Sequence, residues 1–214
     1  MSKAMGSIQK AIYRKLLLNS TLRDLFKGSE TAFTLENMVT TDNLTYEMQY
    51  LEYSYWVSTA VFTLVVDGEA PTEEYAINSA AGTVTFATER ARSVAITGKC
   101  YVVRIYDEVP KDCDYPYIDI GEFDCNQDNV YGKNGEEAFN TLHVYTGPKR
   151  KSSYNMGNKD IQALGAAIVT CLDGQALTID GYNWTDTQFD FSTVYKEDEY
   201  RHMPIRMKIW VREQ

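Results

Sequence analysis

The end of the chain carries the most regular alternation of hydrophobic and polar residues in the sequence. Its odd-numbered positions are hydrophobic: Ile205, Met207, Ile209 and Val211. Its even-numbered positions are basic or aromatic: Arg206, Lys208, Trp210 and Arg212. Successive side chains of a β-strand point to opposite faces, so this pattern predicts a strand with one face on a core. A strand is also predicted for residues 187–195, with Phe189 and Phe191 on one face and Asp190 on the other.

Three other segments have helical spacing. The first runs from Met5 to Leu16, and Ser7 is predicted as its N-cap. A short second helix is predicted to follow Thr21 as N-cap and to end at Gly28. The third is predicted to begin at Asn158 and to end at a glycine. Its hydrophobic face contains Ile161, Leu164, Ile168, Cys171 and Leu172.

Residues 29–103 have a different character. β-Branched, aromatic and glycine residues replace the helical pattern, and the run 61–66 is followed by Asp67-Gly68, a turn signal. Further strands are predicted at 75–77, 82–86 and 93–103. Short strands at regular spacing predict a small all-β domain, either sandwich-like or a barrel.

The remaining residues, 1–28 and 104–214, predict one discontinuous α+β domain. Its expected core is an antiparallel β-sheet packed by helices on one face. The all-β segment 29–103 would then be a domain inserted at a surface loop. The fold class is therefore α+β with an inserted all-β domain.

Composition and charge narrow the function. The net charge of −9 argues against general binding to nucleic acid, which needs a basic surface. Residues 1–27 nevertheless carry six Lys and Arg against one acid, so they could attract acidic regions within or between subunits. No stretch approaches the roughly 20 apolar residues that cross a bilayer, and no signal-peptide pattern is present. We expect a protein made in the cytosol without membrane contact.

Candidate chemistry is sparse. The chain has two histidines, His143 and His202, and neither has a neighbouring nucleophile or acid at the spacing of a known catalytic motif. Both are expected to be structural. The four cysteines form no C-x-x-C pair, and no phosphate-binding glycine loop is found. We expect no catalytic residue, no metal site, no cofactor and no enzymatic activity.

The polar face of the last strand is the candidate interface. Arg206, Lys208, Trp210 and Arg212 form a basic and aromatic row on an acidic protein. The row could be a solvent-facing strand whose charges prevent edge aggregation, or it could pair with Asp190 on the neighbouring strand. It could also be a subunit or partner contact, because Trp and Arg are enriched at binding hot spots.

The order of elements resembles the tail completion, or tail terminator, proteins of long-tailed bacteriophages. Two runs carry the resemblance: Ile105-Tyr106-Asp107-Glu108-Val109-Pro110 and Tyr115-Pro116-Tyr117-Ile118-Asp119-Ile120-Gly121. The strand at 141–145, the helix at 161–172 and the closing strand suit the family, as does the N-terminal helix pair. The departure is the β-rich insert of residues 29–103.

This resemblance implies a homo-hexameric ring in the virion neck, assembled in the bacterial cytoplasm. The ring would cap the tail tube protein and contact the head connector or stopper protein, and genome DNA would pass through it without specific binding. Three alternatives stay open. One is another neck component, such as a head-completion or tube-like protein, and another is a surface or glycan-binding module that uses the insert. The third is an enzyme whose activity would depend on His143 and His202.

Overall fold

The computed structural model describes residues 4–26, 30–48, 56, 60–79, 82–89, 91–101, 103–111, 113, 115–127, 134–147 and 158–214. The chain divides into two compact units. One consists of Met1–Leu25 with Arg104–Gln214, and the other is Phe26–Val103. The described helices are α1 (Met5–Leu17), α2 (Ser20–Leu25) and α3 (Asn158–Leu172).

The unit Phe26–Val103 contains six described strands. They are β1 (Glu30–Val39), β2 (Thr45–Met48), β3 (Thr63–Val66), β4 (Tyr75–Asn78), β5 (Thr83–Phe86) and β6 (Val94–Tyr101). All neighbouring strands pair antiparallel in the order β3-β6-β1-β2-β5-β4. Strands β3 to β6 match the sequence prediction, although the predicted run 61–66 begins two residues early. The strands β1 and β2 were not predicted individually.

The expectation of a sandwich-like domain is wrong in detail, because the described strands form one continuous sheet rather than two stacked ones. Strand β1 joins the two halves: it pairs with β6 from Glu30 to Met38 and with β2 only at its end. A register shift between Phe33 and Glu36 interrupts β1, and Leu35 within it has a φ of 50°. The sheet curls around a core that includes Phe33, Tyr46, Trp56, Val84, Phe86 and Ile96.

A buried arginine, Arg92, links a turn of this unit to its sheet. The Arg92 side chain has no exposed area, and its Nη2 lies 3.1 Å from Glu73 Oε2. Its guanidinium also lies 4.1 Å from the centre of the Phe86 ring. A buried charge is stable only when it is paired and hydrogen-bonded, so these contacts hold the turn at Glu73 against the sheet.

The unit formed by residues 4–25 and 104–214 contains six further described strands. They are β7 (Ile105–Tyr106), β8 (Tyr117–Gln127), β9 (Gly135–Thr146), β10 (Tyr182–Ser192), β11 (Tyr195–Glu197) and β12 (Tyr200–Glu213). The strand order is β10-β12-β9-β8-β7, and β11 pairs with β12. The expected antiparallel sheet is confirmed except at its edge, where β7 pairs parallel with β8. This edge pair spans only two residues, so its parallel hydrogen bonds contribute little to the stability of the sheet.

The core of this unit follows the hydrophobic rows that the sequence shows. Residues 203, 205, 207, 209 and 211 of β12 and residues 138, 140, 142, 144 and 146 of β9 are all buried. The helix α3 approaches β12 closely at Gly165, where an added Cβ would lie 2.6 Å from the Met203 side chain. The helix therefore packs against the same hydrophobic row that the strand buries.

Helix α1 forms where it was predicted, whereas α2 begins at Ser20, before its predicted cap Thr21, and ends at Leu25. Its predicted end, Gly28, lies outside the described residues. The caps of both helices differ from the prediction. Ala4, not Ser7, is the N-cap of α1, and it makes no side-chain capping bond. Asn19 rather than Thr21 caps α2, because its Oδ1 accepts a hydrogen bond of 2.9 Å from Leu22 N. Several short polar residues near a helix start can serve as its N-cap, so the cap residues predicted from the sequence were the wrong ones.

The basic charges of the N-terminal helices are largely engaged within their own unit. Lys10 Nζ lies 2.7 Å from Asp180 Oδ2, and this hydrogen bond lowers the pKa of Asp180. Lys15 Nζ donates to the Ala176 carbonyl, and the buried Arg23 donates to the Leu17 carbonyl. Among the described residues, no helix has the length and apolarity required to span a membrane.

Leu142 provides a test of the core that β9 and β12 share. It is fully buried, so Leu142→Ala should lower the free energy of unfolding by about 2–5 kcal/mol through lost burial and the remaining cavity. The neighbouring Thr141→Ala, on the opposite face, should cost less than about 1 kcal/mol. Urea denaturation followed by circular dichroism measures both. Equal losses for the two variants would contradict the assignment of faces.

Candidate partner-binding face

The face of the sheet opposite the buried row carries the predicted interface residues. β12 lies between β10 and β9, and its even-numbered residues from Arg206 to Trp210 are half-buried, while Arg212 is exposed. This face is called the outer face below. The structure places Arg206, Lys208, Trp210 and Arg212 on it in a single row, as the alternation predicted. Whether the row binds a partner stays a prediction.

Asp190 of β10 lies beside two members of the row. Its Oδ1 is 3.1 Å from Lys208 Nζ, and its Oδ2 is 3.8 Å from Arg206 Nε. The Phe139 ring of β9 lies on the other side, with the Arg206 guanidinium 4.7 Å and the Lys208 ammonium 5.7 Å from its centre. Arg206 and Lys208 therefore each have an acidic and an aromatic contact within the chain.

A bulge in β10 places Asp190 at this point. The register shifts between Phe189 and Phe191, so Phe189 pairs with the buried Met207 whereas Phe191 pairs with Arg206. Paired residues share a face, so the expectation that Phe189 and Phe191 point the same way is wrong. The bulge brings Phe191, which is 45% exposed, to the outer face beside Asp190.

Trp210 and Arg212 stand at the other end of the row. Trp210 pairs with Asp186 on β10 and with Glu137 on β9. Arg212 pairs with Asn183 and Gly135 at the ends of the same strands. The acidic neighbours compensate much of the positive charge, so the row is less basic than the sequence of β12 suggests.

The ion pairs of the row contribute little to stability. The side chains of Arg206, Lys208 and Asp190 are 36%, 32% and 29% exposed. Solvent screens charges at such exposure, and pairs of this kind are typically worth about 0–1 kcal/mol. The row is therefore available for other contacts at small cost to the fold.

A second group of residues on the outer face was not predicted. Four tyrosine rings form a continuous cluster. They come from the turn before β8 and from β8, β9 and β12: Tyr115, Tyr117, Tyr145 and Tyr200. The Tyr117 and Tyr145 ring centres are 4.8 Å apart, and Tyr106 of β7 extends the cluster to the sheet edge. The 16 tyrosines of the chain were the only sequence signal for it.

The two histidines, both expected to be structural residues, meet in this cluster. His143 of β9 and His202 of β12 lie with Nδ1 and Nε2 2.8 Å apart, and the His202 ring stacks on Tyr145 at 4.5 Å. Glu122 Oε2 lies 2.9 Å from His143 Nε2, and Glu197 Oε1 lies 3.6 Å from His202 Nδ1. The four residues come from four strands, so no spacing in the sequence could have connected them.

Burial and hydrogen bonding shift the pKa values of several groups in this cluster. Burial, together with neighbouring tyrosines, raises the pKa of Tyr117 well above its usual range, and burial also raises the pKa of Tyr145. A hydrogen bond to Glu197 raises the pKa of Tyr200 to about 12. The hydrogen bond from His143 lowers the pKa of Glu122, which keeps that carboxylate ionised.

Gly121 makes room for His143. A Cβ at this position would lie 2.4 Å from His143 Cδ2 and 2.9 Å from the Thr141 carbonyl oxygen. β8 bulges between Ile120 and Phe123, and the buried Asn140 donates from Nδ2 to the Glu122 carbonyl there. The glycine that ends the Tyr-Pro-Tyr-Ile-Asp-Ile-Gly run therefore leaves the space that the His143 ring occupies.

This face carries side chains that are suited to binding another protein. Among the described residues, no group of three or more His, Cys, Asp or Glu side chains is arranged to hold a metal ion. The histidine nitrogens face each other and two carboxylates. Stacked tyrosines, an exposed phenylalanine and a partly exposed tryptophan are side chains that protein interfaces favour.

The sheet of this unit therefore presents a partly exposed, aromatic surface. The sequence model of the family "Tail completion protein gp17" matches residues 89–212, which is more than half of the chain. The chain therefore belongs to the tail completion protein gp17 family and is a structural protein of the bacteriophage tail. The match spans β6 to β12 and α3, and the predicted resemblance of the N-terminal helix pair lies outside it.

A solved structure is also similar to part of this chain. A chain from the virion of a native gene transfer agent particle is similar, with 18% sequence identity and a TM-score of 0.43. The similarity covers 50% of this chain and 78% of that chain. A search among curated proteins found no significant match.

Gly121→Ala tests the arrangement of the bulge and His143. The added methyl group meets a backbone oxygen as well as the ring, so we expect a loss of about 1–3 kcal/mol in the free energy of unfolding. Gly6→Ala is the matched control, because nothing lies within 4 Å of its added Cβ. That change in α1 should stabilise by up to about 1 kcal/mol. Thermal denaturation of both variants measures the difference, and a neutral Gly121→Ala would contradict the close contact.

Proposed function

We propose that this protein is the tail terminator of its virion: a subunit of a homo-hexameric ring that caps the tail tube and joins it to the head connector. Membership of the tail completion family supports the placement in the tail. The ring and its contacts with the tube and connector are the proposal. Assembly would take place in the cytoplasm of the bacterial host.

The observation that carries the proposal is the outer face. It presents Trp210, Phe191 and the tyrosine cluster beside Arg206 and Lys208, all at least partly exposed. Aromatic residues and arginine dominate the energetics of protein interfaces. We propose that the helices pack on the opposite face of the sheet alone, which leaves this face for neighbouring subunits.

A closed ring requires a heterologous contact, in which one patch fits a different patch on the next subunit. The row on β12 would be one such patch. Its pairing with Asp190 is exposed enough to rearrange, so a neighbouring subunit could replace the acidic partner with its own. We propose that residues 29–103 form a separate inserted domain.

Genome DNA would pass through the ring without specific binding. The chain carries a net charge of −9, and a channel lined with acidic groups would repel the phosphates of DNA. A basic channel in the assembled ring would contradict this part of the proposal.

Light scattering with mass determination on the purified chain tests the ring. We expect a single species of six times the 24.4 kDa chain mass, alone or after addition of tail tubes. Negative-stain images should show the protein at one end of the tubes. A stable dimer, or decoration along the tube wall, would favour a different neck or tail component.

Charge reversal tests the row on β12. In the double variant Arg206→Glu, Lys208→Glu, two acids would face Asp190, and we expect ring formation or tail capping to weaken at least tenfold, as loss of interfacial charge pairs does. Size-exclusion chromatography and capping of tubes measure the effect.

A triple variant separates the fold from the interface. Adding Asp190→Lys restores opposite charges inside the chain, so the melting temperature should return to that of the wild type while assembly stays impaired. Recovery of assembly in the triple variant would show that only the internal pairing mattered. Normal assembly of the double variant would show that the row is a solvent-facing strand.

A further inference from the structure

The contact between His143 and His202 is a direct one between two imidazoles. Their nitrogens are 2.8 Å apart, and both side chains are mostly buried, at 16% and 17% exposure. The outer nitrogen of each ring faces a carboxylate: Glu122 for His143 and Glu197 for His202. The result is a line of three contacts that joins β8, β9, β12 and β11. His143 and His202 are called the histidine pair below.

Counting protons shows which state this line favours. Ionised carboxylates only accept hydrogen bonds, so the two hydrogen bonds of the line, between the rings and from His143 to Glu122, need one ring proton each. Two neutral imidazoles carry two protons and satisfy both. One added proton on the outer nitrogen of His202 keeps both hydrogen bonds and adds an ion pair with Glu197, whose Oε1 lies 3.6 Å away, beyond hydrogen-bond distance. A second added proton places two N–H groups and two positive charges against each other across 2.8 Å.

The acidic surroundings attract an added proton, whereas the burial of His202 opposes it. The titratable groups around the pair are acids and tyrosines: Tyr106, Asp107, Tyr115, Tyr117, Asp119, Glu122, Tyr145, Tyr195, Glu197 and Tyr200. Lys196 and Arg201 pair with each other, and Arg201 also pairs with the buried Thr146, so both lie on the opposite face. Arg206 lies on the same face as the pair, opposite Thr141 of β9, and its charge is paired with Asp190.

We propose that the histidine pair is a pH-dependent switch. With one added proton, the two rings stay in contact and hold β12 against β9, which is the closed state. A second added proton separates the rings and opens this part of the outer face. Opening moves the His202 ring away from His143 and from its stack on Tyr145. The residues of β12 that pair with both β11 and β9, Arg201 and His202, are thereby loosened from β9, and the Tyr200 ring from Tyr145. The switch is a property of the single chain and does not depend on ring formation.

The direction of the pH effect follows from His202. Burial first, and then the charge of His143, lower the pKa of His202 in the folded chain. An unfolded imidazole has a pKa near ~6.5, so below that pH the unfolded chain binds more protons than the folded one. The folded state therefore loses stability as the pH falls from about 6.5 through the folded value. The effect disappears at higher pH, where both states are neutral.

Imidazole nitrogen NMR of the full ¹⁵N-labelled chain, without a histidine tag, tests the switch directly. The chain has two histidines, so every imidazole signal belongs to the pair. Between pH 8.5 and pH 4.5, both rings should report the same two steps, separated by more than about one pH unit, as coupled sites do. Two independent single steps would overturn the proposal, and this measurement needs no variant.

Amide hydrogen exchange tests the opening. Below the second step, the amides of Tyr200 to Met203 should exchange at least tenfold faster than above it, while Ile96 in the other unit keeps its rate. Unchanged protection at Tyr200 to Met203 would show that the rings titrate without opening the sheet, which would overturn the switch.

Matched variants separate the pair from general acidity. Glu122→Gln removes a carboxylate that holds the line, so the first proton should bind at a lower pH. Glu137→Gln removes an acid of the same face away from the pair and should leave both steps in place. In His143→Gln, the remaining His202 should show one step, with circular dichroism confirming that the chain is folded. Equal effects of Glu122→Gln and Glu137→Gln would overturn the assigned contacts.

Discussion

From Arg201 to Arg212, β12 pairs with β9 in continuous antiparallel register, without a bulge. This ladder holds the sheet of its unit together, because β10 and β11 attach to one of its strands and β8 to the other. It also separates the two faces: a register slip of one residue would move Ile205 and Met207 into solvent and Arg206 into the core. The burial of five alternate residues on each strand therefore determines what the outer face presents.

Bulges on the neighbouring strands then determine how the outer face is arranged. The bulge in β8 next to Gly121 lets His143 lie across the strand and presents Glu122 to its ring. The bulge in β10 brings Asp190 and Phe191 next to Arg206. Both interruptions flank an unbroken ladder. Irregular strands can reposition side chains here because the central strands supply the stability.

The outer face thus combines two kinds of groups with different energetics. The charged row at Arg206 and Lys208 is half-buried and weakly paired, so it can exchange partners at little cost. The histidine pair and its tyrosines are more buried, and the protonation of a buried group is coupled to the conformation around it. We propose that the first serves assembly and that the second makes the same face sensitive to pH.

The sequence by itself determined the elements whose residues repeat with a regular period: α1, α3, β12 and most strands of the unit Phe26–Val103. It also determined the composition of the row on β12, because alternation assigns each residue to a face. The helix caps, the strands β1 and β2 and the bulge at Asp190 were missed or misplaced, since local patterns do not show where a ladder shifts register. Only the tertiary structure brought His143 and His202 together, 59 residues apart, with Glu122 and Glu197. Their contact depends on the pairing of distant strands, which burial of the whole core decides and no short segment encodes.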